Sequence, residues 1–292
     1  MGRNHVRLLS SLPGAELVGI YDPKPESAET VAREHGTRVF SRLEELAGEI
    51  EAAVVAAPTV AHADMGCALL SRGLHVLIEK PLAASLAEAD RLLAAAGDRV
   101  LAVGHVEFFN PAVQALLGVG IPPRFVEVQR LGVFSPRSLD VDVILDLMIH
   151  DLQILHAFDP SPVEEVRATG IAVLSPRIDM ANVRLQFASG GVANLTASRV
   201  SSERARKLRA FLSNRYYSLD YQAQEIKGYR LEEGGGERRI LPDDLAVERA
   251  EPLKRELEAF LAACRGETVP RVDGAQGRQA LATALAVVEA IR

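Results

Sequence analysis

The chain has 292 residues, of which 48% are hydrophobic and 25% are charged, the composition of an ordinary globular protein with one large or two medium domains. Its net charge of −6 argues against nucleic acid as a partner, because nucleic-acid-binding domains usually carry a basic patch. The sequence has no apolar run near the roughly 20 residues that span a bilayer, and its start is too polar for a secretory signal peptide.

The first third of the chain alternates short apolar runs with helical segments. Buried strands are predicted over residues 15–21, 52–57, 75–81 and 100–105, with helices over 25–35, 61–73 and 85–97 between them. This alternation is typical of parallel β-α-β units, and it predicts a Rossmann-type α/β domain for dinucleotide binding over residues 1–108.

The pattern changes near Phe108, and residues 109–292 predict an α+β domain for substrate binding and oligomerisation. Strand-like runs are predicted over 124–134, 164–174, 181–188, 191–200, 206–213 and 216–221, with helices over about 140–157, 252–265 and 274–291. Gly190-Gly191 predicts a hairpin turn. We therefore predict an open, mostly antiparallel sheet with one covered face.

The uncovered face of such a sheet usually packs on something, and we expect a second copy of this chain in a homodimer or homotetramer. The two cysteines, Cys67 and Cys264, have the spacing of neither a disulfide framework nor a metal site. We therefore predict no metal, and the cytoplasm is the simplest location.

Two predicted strands end in charged residues that can bind a ligand. Asp22 could hydrogen-bond ribose hydroxyls, as an acid at the end of the second strand does in dinucleotide folds, although an Asp-Pro turn is the plainer interpretation. In Glu79-Lys80-Pro81, a lysine at the carboxyl end of a parallel strand would point into the ligand crevice and could stabilise developing negative charge. A charged loop start is the alternative.

The helix VDVILDLMIHDLQIL carries Asp142, Asp146 and His150 four residues apart, so that they form one polar stripe on an otherwise apolar helix. A carboxylate can orient an imidazole ring, and the ring can take a proton near neutral pH. A surface Asp–His pair or a satisfied core histidine is the alternative, and the neighbouring Asp151 complicates the assignment.

Three further residues are weaker candidates. His62 begins the helix after residues 52–57, and taken alone it predicts a solvated residue in the first turn. Arg130 and Arg199 lie on strand-like segments, where a guanidinium group could hold a carboxylate or phosphate through two hydrogen bonds. A surface position is the plainer interpretation for either arginine.

Taken together, these residues resemble the Gfo/Idh/MocA oxidoreductase family, in order and over essentially the whole chain. Gly2-Arg3-Asn4-His5 looks like the end of the family's G-x-G-x-x-G-x-x-H opening, Glu79-Lys80-Pro81 resembles its most recognisable motif, and Asp146 with His150 matches its D-x-x-x-H helix. The cofactor-binding positions that the resemblance implies are Gly2, Asp22, Pro58, Thr59, His62, Glu79 and Lys80.

A narrower resemblance concerns the substrate. GHVEFFNPAV (104–113), DVDVILDLMIHDLQIL (140–155) and YYSLDY (216–221) look like the branch that contains UDP-N-acetylglucosamine 3-dehydrogenases. Where that branch usually has Arg in an E-R-F-N-P string, this chain has Phe108. The departure bears on the substrate and not on the fold.

The resemblance implies hydride transfer from a sugar carbinol carbon to NAD, since an acid at Asp22 would repel the 2′-phosphate of NADP. His150 would take the hydroxyl proton, Lys80 would stabilise the alkoxide, and Asp146 would orient the ring or bind substrate hydroxyls. These three residues are the expected catalytic set. The expected substrate-binding residues are Lys80, Arg130, Asp146, His150 and Arg199.

Two other functions stay open at the level of sequence. The substrate could be an inositol, a free sugar or another nucleotide sugar. Alternatively, the protein could be a non-catalytic regulator that binds NAD or a sugar nucleotide, although such a regulator has no need of the base His150.

The first residues bear on cofactor binding. Met1-Gly2 resembles the last pair of the glycine fingerprint, so we expect that the first strand and most of the glycine loop are missing. That strand is central in the Rossmann order, so residues 15–21 and 52–57 would lack a neighbour or would pair directly. We therefore expect the 292-residue chain to bind NAD weakly.

Overall fold

A computed structural model describes residues 1–134, 141–234 and 237–291 and divides the chain into two compact units. Unit 1 consists of Met1–His105 and Leu253–Arg278, and unit 2 consists of Val106–Pro252 and Gln279–Arg292. The sequence predicts a single domain boundary, after residue 108. The structure differs, because the segment Leu253–Arg278 near the carboxyl terminus belongs to unit 1. The roles given to the two domains stay predictions.

Unit 1 begins with alternating helices and strands. These are α1 (Gly2–Leu9), β1 (Gly19–Ile20), α2 (Pro25–His35), β2 (Arg38–Val39), α3 (Leu43–Ala47), β3 (Ala52–Val55), α4 (Thr59–Leu70), β4 (His75–Glu79), α5 (Leu86–Ala96) and β5 (Leu101–Gly104). β1 pairs with β2, and β3, β4 and β5 form a second sheet, with all pairs parallel. Among the described residues, β1 and β3 are not neighbours in one sheet, so the direct pairing that the sequence left open is not found.

Local sequence signals set the ends of these helices. α2 has Pro25 in its first turn and ends at Gly36, whose φ of 66° is the left-handed conformation that glycine adopts readily. At the start of α5, Ser85 accepts a hydrogen bond from the Glu88 amide, and the Glu88 side chain accepts one from the Ala84 amide. This reciprocal cap fixes where the helix begins.

Gly66 allows α4 to pack closely on its neighbours. A Cβ atom added there would lie 2.5 Å from Leu92 Cδ2 on α5 and 2.7 Å from Ile78 Cδ1 on β4. A larger side chain would therefore push the helix off the sheet. The close packing fixes β4 just before its carboxyl end at Glu79.

Unit 2 is built on one large sheet. After a 3-10 turn (Val106–Phe109), its elements are α6 (Pro111–Leu117), β6 (Phe125–Leu131), a π-helical segment (Ile144–Met148), α7 (Ile149–Phe158), β7 (Val163–Ile171), β8 (Met180–Phe187), β9 (Val192–Ser198), β10 (Ala205–Phe211), β11 (Arg215–Asp220), β12 (Glu225–Gly234) and β13 (Glu237–Pro242). The strand order is β13-β12-β11-β10-β6-β9-β8-β7. β6 and β9 run parallel, and the other neighbours run antiparallel, which confirms the predicted mostly antiparallel sheet.

One face of this sheet is covered. Along β8 the side chains of Ala181, Val183 and Leu185 are buried, and those of Asn182 and Arg184 between them are exposed. The buried side chains share one apolar core with residues of α6, α7 and the last helix of the chain. Along β8 the other face is exposed, as the alternating sequence predicts.

Two helices close the chain, α8 (Pro252–Cys264) and α9 (Gly274–Ile291). In unit 1, Phe260 of α8 packs on Leu77 of β4 and Ala102 of β5. The residues of α9 are divided between the two units. No described helix is long and apolar enough to cross a bilayer.

Three details differ from the sequence prediction or refine it. The predicted helix over 140–157 starts with a π-helical segment, and its first residue, Asp140, lies outside the described residues. The hairpin at Gly190-Gly191 is confirmed, with Gly190 at a φ of 86°. Strands β12 and β13 were missed, because their charged and exposed residues carry little apolar alternation.

Candidate active site

In unit 1, the carboxyl ends of three parallel strands lie at the same edge of a sheet, where α/β proteins bind ligands. Glu79 ends β4, and its Oε1 lies 2.6 Å from Nε2 of His5 in a buried pair. A Cβ atom added at Gly104 would come within 3.2 Å of Glu79 Cα and Oε2, so the glycine makes room for this carboxylate. Glu79 thus has a protein partner, and its predicted contact with the cofactor stays a prediction.

Lys80 follows Glu79 and precedes Pro81 through a cis peptide bond. His62 contacts this segment from α4: its Nδ1 lies 2.8 Å from the carbonyl oxygen of Pro81, and its Nε2 lies 2.9 Å from that of Ala57. His62 is 1% exposed, so the interpretation as a solvated first-turn residue is wrong. A carbonyl oxygen only accepts, so a neutral ring donates to one of the two at a time.

Two buried titratable residues lie near this segment. Burial, and after it the charge of Lys80, lowers the pKa of His105 to about 3, so this ring is neutral at ordinary pH. Burial, and after it the negative charge of Glu79, raises the pKa of Glu256 well above its ordinary value. Sequence reasoning missed Glu256, because an acid on an amphipathic helix usually marks the solvated side.

The remaining predicted cofactor residues also lie in unit 1, and their contacts with a dinucleotide stay predictions. Asp22 is exposed at the end of β1, and its Oδ1 accepts a hydrogen bond of 2.8 Å from the Lys24 amide, so the turn and the ribose interpretations are compatible. α1 begins at Gly2, where an added Cβ would meet Ala56 Cβ at 3.9 Å, an ordinary contact. Pro58 and Thr59 lie at the start of α4, directly after β3. Helix starts that follow parallel strands are suited to phosphate groups.

In unit 2, the helix with the predicted base has an unusual start. Asp146 is half-buried within the π-helical segment, and His150 is 9% exposed in the first turn of α7. Asp142 precedes the helix, and its Oδ1 accepts a hydrogen bond of 2.9 Å from the Ile178 amide. Asp142 therefore does not belong to the helical stripe of three residues that the sequence predicts. Asp146 lies in the π-helical segment, and such segments are frequent at functional sites.

Asp151, the neighbour of His150, belongs to a buried ionic network. Arg130 binds both of its carboxylate oxygens, at 2.6 and 2.8 Å, and also binds Glu107 at 2.8 Å. Burial would lower the pKa of Arg130, but Asp151 and Glu107 outweigh it and hold the pKa well above its ordinary value. Tyr221 donates to Asp151 at 3.1 Å, and its ring stacks under the guanidinium group at 4.9 Å.

Arg199 is the second arginine that the sequence assigned to the substrate. It is 5% exposed, and its Nε donates to Asp179 Oδ1 at 2.8 Å. In the described contacts, Arg130 and Arg199 each bind a carboxylate group of the protein itself. This geometry does not support their assignment to the substrate, which stays a prediction. The sequence alone does not show a buried carboxylate on a distant segment.

No group of described residues could hold a metal ion. In unit 1, Lys80 directly follows the end of β4. In unit 2, Asp146 lies in the π-helical segment and His150 lies in the helix that continues it. A lysine, a carboxylate and an imidazole suffice for proton transfer and for stabilising an alkoxide.

Comparison with known proteins identifies the family. Residues 1–105 match the Gfo/Idh/MocA family, described as an oxidoreductase family with an NAD-binding Rossmann fold. UDP-N-acetylglucosamine 3-dehydrogenase of Acidithiobacillus ferrooxidans is 38% identical over 298 aligned residues, which cover 100% of this chain and 94% of that protein. Its crystal structure superposes with a TM-score of 0.93 at 36% identity, covering 99% of this chain and 94% of that one.

A more distant structure shows the same fold. The WlbA dehydrogenase of Bordetella pertussis, in complex with NADH and UDP-GlcNAcA, has a TM-score of 0.84 at 19% identity and covers 100% of this chain and 92% of its own. These matches confirm the predicted fold class, the oxidoreductase activity and NAD as the cofactor. The chain belongs to the Gfo/Idh/MocA family of NAD-dependent oxidoreductases.

Proposed function

We propose that this protein oxidises the 3-hydroxyl group of a UDP-linked N-acetylhexosamine. The observation that carries the proposal is the 38% identity, over the whole chain, to a UDP-N-acetylglucosamine 3-dehydrogenase. The segments 104–113, 140–155 and 216–221 support it, since they resemble that branch of the family. Phe108, the one departure, is buried and packs edge-on against Phe109, so it replaces the usual arginine with a core residue.

In this reaction the substrate loses a hydride from carbon and a proton from oxygen. NAD, when bound, supplies the hydride acceptor. We assign the proton to His150, because an imidazole held on a helix is the side chain that most often serves as a general base. We assign Lys80 to the substrate oxygen, where an ammonium group stabilises the negative charge that develops. Asp146 orients the imidazole or binds a substrate hydroxyl.

We expect oxidation of UDP-N-acetylglucosamine to produce NADH at saturating NAD. A direct assay, without a coupling enzyme, measures this from the absorbance of NADH. Three compounds serve as comparisons. UDP-N-acetylgalactosamine tests the configuration of the hexose, free N-acetylglucosamine tests the need for the nucleotide, and an inositol tests the class of substrate. If an inositol is oxidised and no UDP-sugar is, the substrate assignment is wrong while the family assignment stands.

An inositol is the second candidate substrate. An inositol 2-dehydrogenase of Rhizobium meliloti is 26% identical over 310 aligned residues, covering 100% of this chain. The lower identity favours the UDP-sugar, and the substrate panel decides between them.

We further infer that the open face of the unit 2 sheet binds a second copy of the chain. A row of apolar side chains crosses five strands of this face, with each residue paired to the next: Val192, Phe125, Phe211, Tyr216 and Tyr229. Neighbouring aromatic rings lie 5.6 and 5.0 Å apart. Beside the row, Arg209 and Glu127 form an ion pair of 3.1 Å, so the face also carries balanced charge.

A charge placed in this row is expected to separate the copies. Tyr229 is 49% exposed, and Tyr229→Glu should lower the mass measured by light scattering toward that of the monomer, because an interface buries few unpaired charges. Val60→Glu, at a residue 79% exposed in unit 1, is the matched control and should leave the mass unchanged. Equal masses for wild type and Tyr229→Glu would place the interface elsewhere.

Two free thiols bear on the location of the protein, Cys67 and Cys264. We infer a reducing compartment, the cytoplasm, where free thiols persist.

A further inference from the structure

We propose that Asp179 and Arg199 are positioning residues that fix the start of the helix bearing Asp146 and His150. The inference rests on the proposed function, because it takes His150 as the base. It also gives Arg199 a role other than substrate binding.

Asp179 organises the loop between β7 and β8. It is 0% exposed, and its Oδ2 accepts hydrogen bonds from the amides of Val173, Leu174 and Ser175 at 2.8, 2.6 and 2.9 Å. Its Oδ1 accepts from the Ser175 hydroxyl at 2.6 Å and from Arg199 Nε at 2.8 Å. Burial opposes the charged form, but these donors hold the pKa of Asp179 well below its usual range. The carboxylate is therefore a fixed negative centre.

Arg199 joins this centre to the chain just before the helix. Its Nη2 donates to the carbonyl oxygen of Val141 at 2.7 Å and to that of Ile178 at 3.1 Å. Ile178 then bonds the next two residues: its amide donates to Asp142 Oδ1 at 2.9 Å, and its carbonyl oxygen accepts from the Val143 amide at 2.9 Å. Three consecutive residues, 141–143, are thus held before the helix begins.

The helix is held a second time directly after His150. Asp151 is bound through both carboxylate oxygens by Arg130, which extends from β6. The π-helical segment Ile144–Met148 lies between the two anchors, and its backbone bond runs from the Ile149 amide to the Ile144 carbonyl oxygen, five residues apart. Such a turn takes one residue more than an α-helical turn. The directions of Asp146 and His150 therefore depend on where both ends of this segment are fixed.

Stability alone is a weak reason for such an arrangement. A buried ion pair is often matched or exceeded in stability by apolar residues of similar volume, because both charges must leave water. A fork of hydrogen bonds does what apolar residues cannot, since it fixes a backbone position to within a fraction of an ångström. Catalysis requires that accuracy, because a misplacement of about 1 Å can lower a rate about 100-fold.

The test compares Arg199→Lys and Asp179→Asn with wild type in the full chain, at saturating NAD and well below the melting temperature of each variant. Lysine keeps the charge but cannot bind Asp179, Val141 and Ile178 together, and asparagine keeps the size but loses the charge. We expect kcat to fall by about 10- to 100-fold in both variants, with little change in KM for NAD. We also expect the acid limb of the kcat/KM profile to move, because that limb reports the base in the free enzyme.

Asp159→Asn is the matched control. Asp159 is also buried and also organises a turn, where it accepts hydrogen bonds from the Ser161 amide and hydroxyl at 3.0 and 2.6 Å and from the Ser189 hydroxyl. None of these hydrogen bonds reaches residues 141–143, so this variant should lose stability without a change in kcat or in the pH profile.

If Arg199→Lys and Asp179→Asn lower the melting temperature as Asp159→Asn does, but keep the wild-type kcat and pH profile, the pair is structural and the inference is overturned. If Asp179→Asn does not fold, Arg199→Lys alone decides. Near-normal turnover in a variant without the His150 imidazole would instead refute the base, so the two failures are distinguishable.

Discussion

Replacing His150 by alanine is expected to lower kcat by about 10²- to 10⁴-fold, the usual effect of removing a general base. NAD binding should not change, because His150 is not among the predicted cofactor-binding residues. Steady-state kinetics with NADH absorbance gives the first quantity, and calorimetry gives the second.

The helix itself offers a matched control. His156 lies on α7 as well, and it is hydrogen-bonded to Thr283 at 2.8 Å and has its pKa lowered by burial to about 4. His156→Asn should therefore keep kcat within a few-fold of wild type. Lys80→Ala should resemble His150→Ala in kcat, since it removes the group assigned to the alkoxide. A His150→Ala variant with near-normal kcat would show that another group takes the proton.

The sequence was most informative where one pattern determines one structure. The apolar runs of unit 1 predicted its parallel strands, because a strand buried on both faces leaves no room for polar residues. Gly190-Gly191 predicted its hairpin, since the turn requires the positive φ that Gly190 adopts. The order of Asp22, Glu79-Lys80-Pro81 and the D-x-x-x-H helix predicted the family.

Contacts between distant residues could not be predicted in the same way. Arg130 and Arg199 look like surface arginines in the sequence, and their partners Asp151 and Asp179 lie about 20 residues away. Nothing local distinguishes a carboxylate that binds an arginine across a sheet from one that faces water. The same holds for His62, whose two carbonyl partners come from different strand ends.

The π-helical segment is a related case. A spacing of four predicts one helical face for Asp142, Asp146 and His150, but the amide of Ile178 takes Asp142 out of the stripe. A tertiary hydrogen bond here outweighs the local periodicity. Asp146 and His150 do lie on consecutive helical segments, but the π-helical backbone around Asp146 differs from the α-helix that the periodicity implies. Their roles in the proposed site stay predictions.

Replacing Asp151 by alanine is expected to lower the free energy of unfolding by about 3–5 kcal/mol, because it leaves the buried guanidinium group of Arg130 without its main partner. The side chains of Arg130 and Asp151 are 3% and 1% exposed, so water cannot take the place of the lost carboxylate without local opening. Urea unfolding followed by circular dichroism measures the change. For a unit of this size the melting temperature should fall by roughly 10 °C.

Two further variants separate charge burial from the loss of a contact. Asp64→Ala removes the partner of Arg91 in an exposed ion pair of unit 1, with side chains 79% and 57% exposed, and it should change the stability by less than about 1 kcal/mol. The double variant Arg130→Met with Asp151→Leu should regain much of the stability lost in Asp151→Ala, because it removes the buried charge together with its partner. Glu107 would keep Arg206, at 3.3 Å, as a cationic partner. If Asp151→Ala is as mild as Asp64→Ala, the ion pair with Asp151 does not stabilise the buried charge of Arg130. If Asp151→Ala is severe and the double variant is not, then the unpaired charge, rather than the missing hydrogen bonds, accounts for the loss.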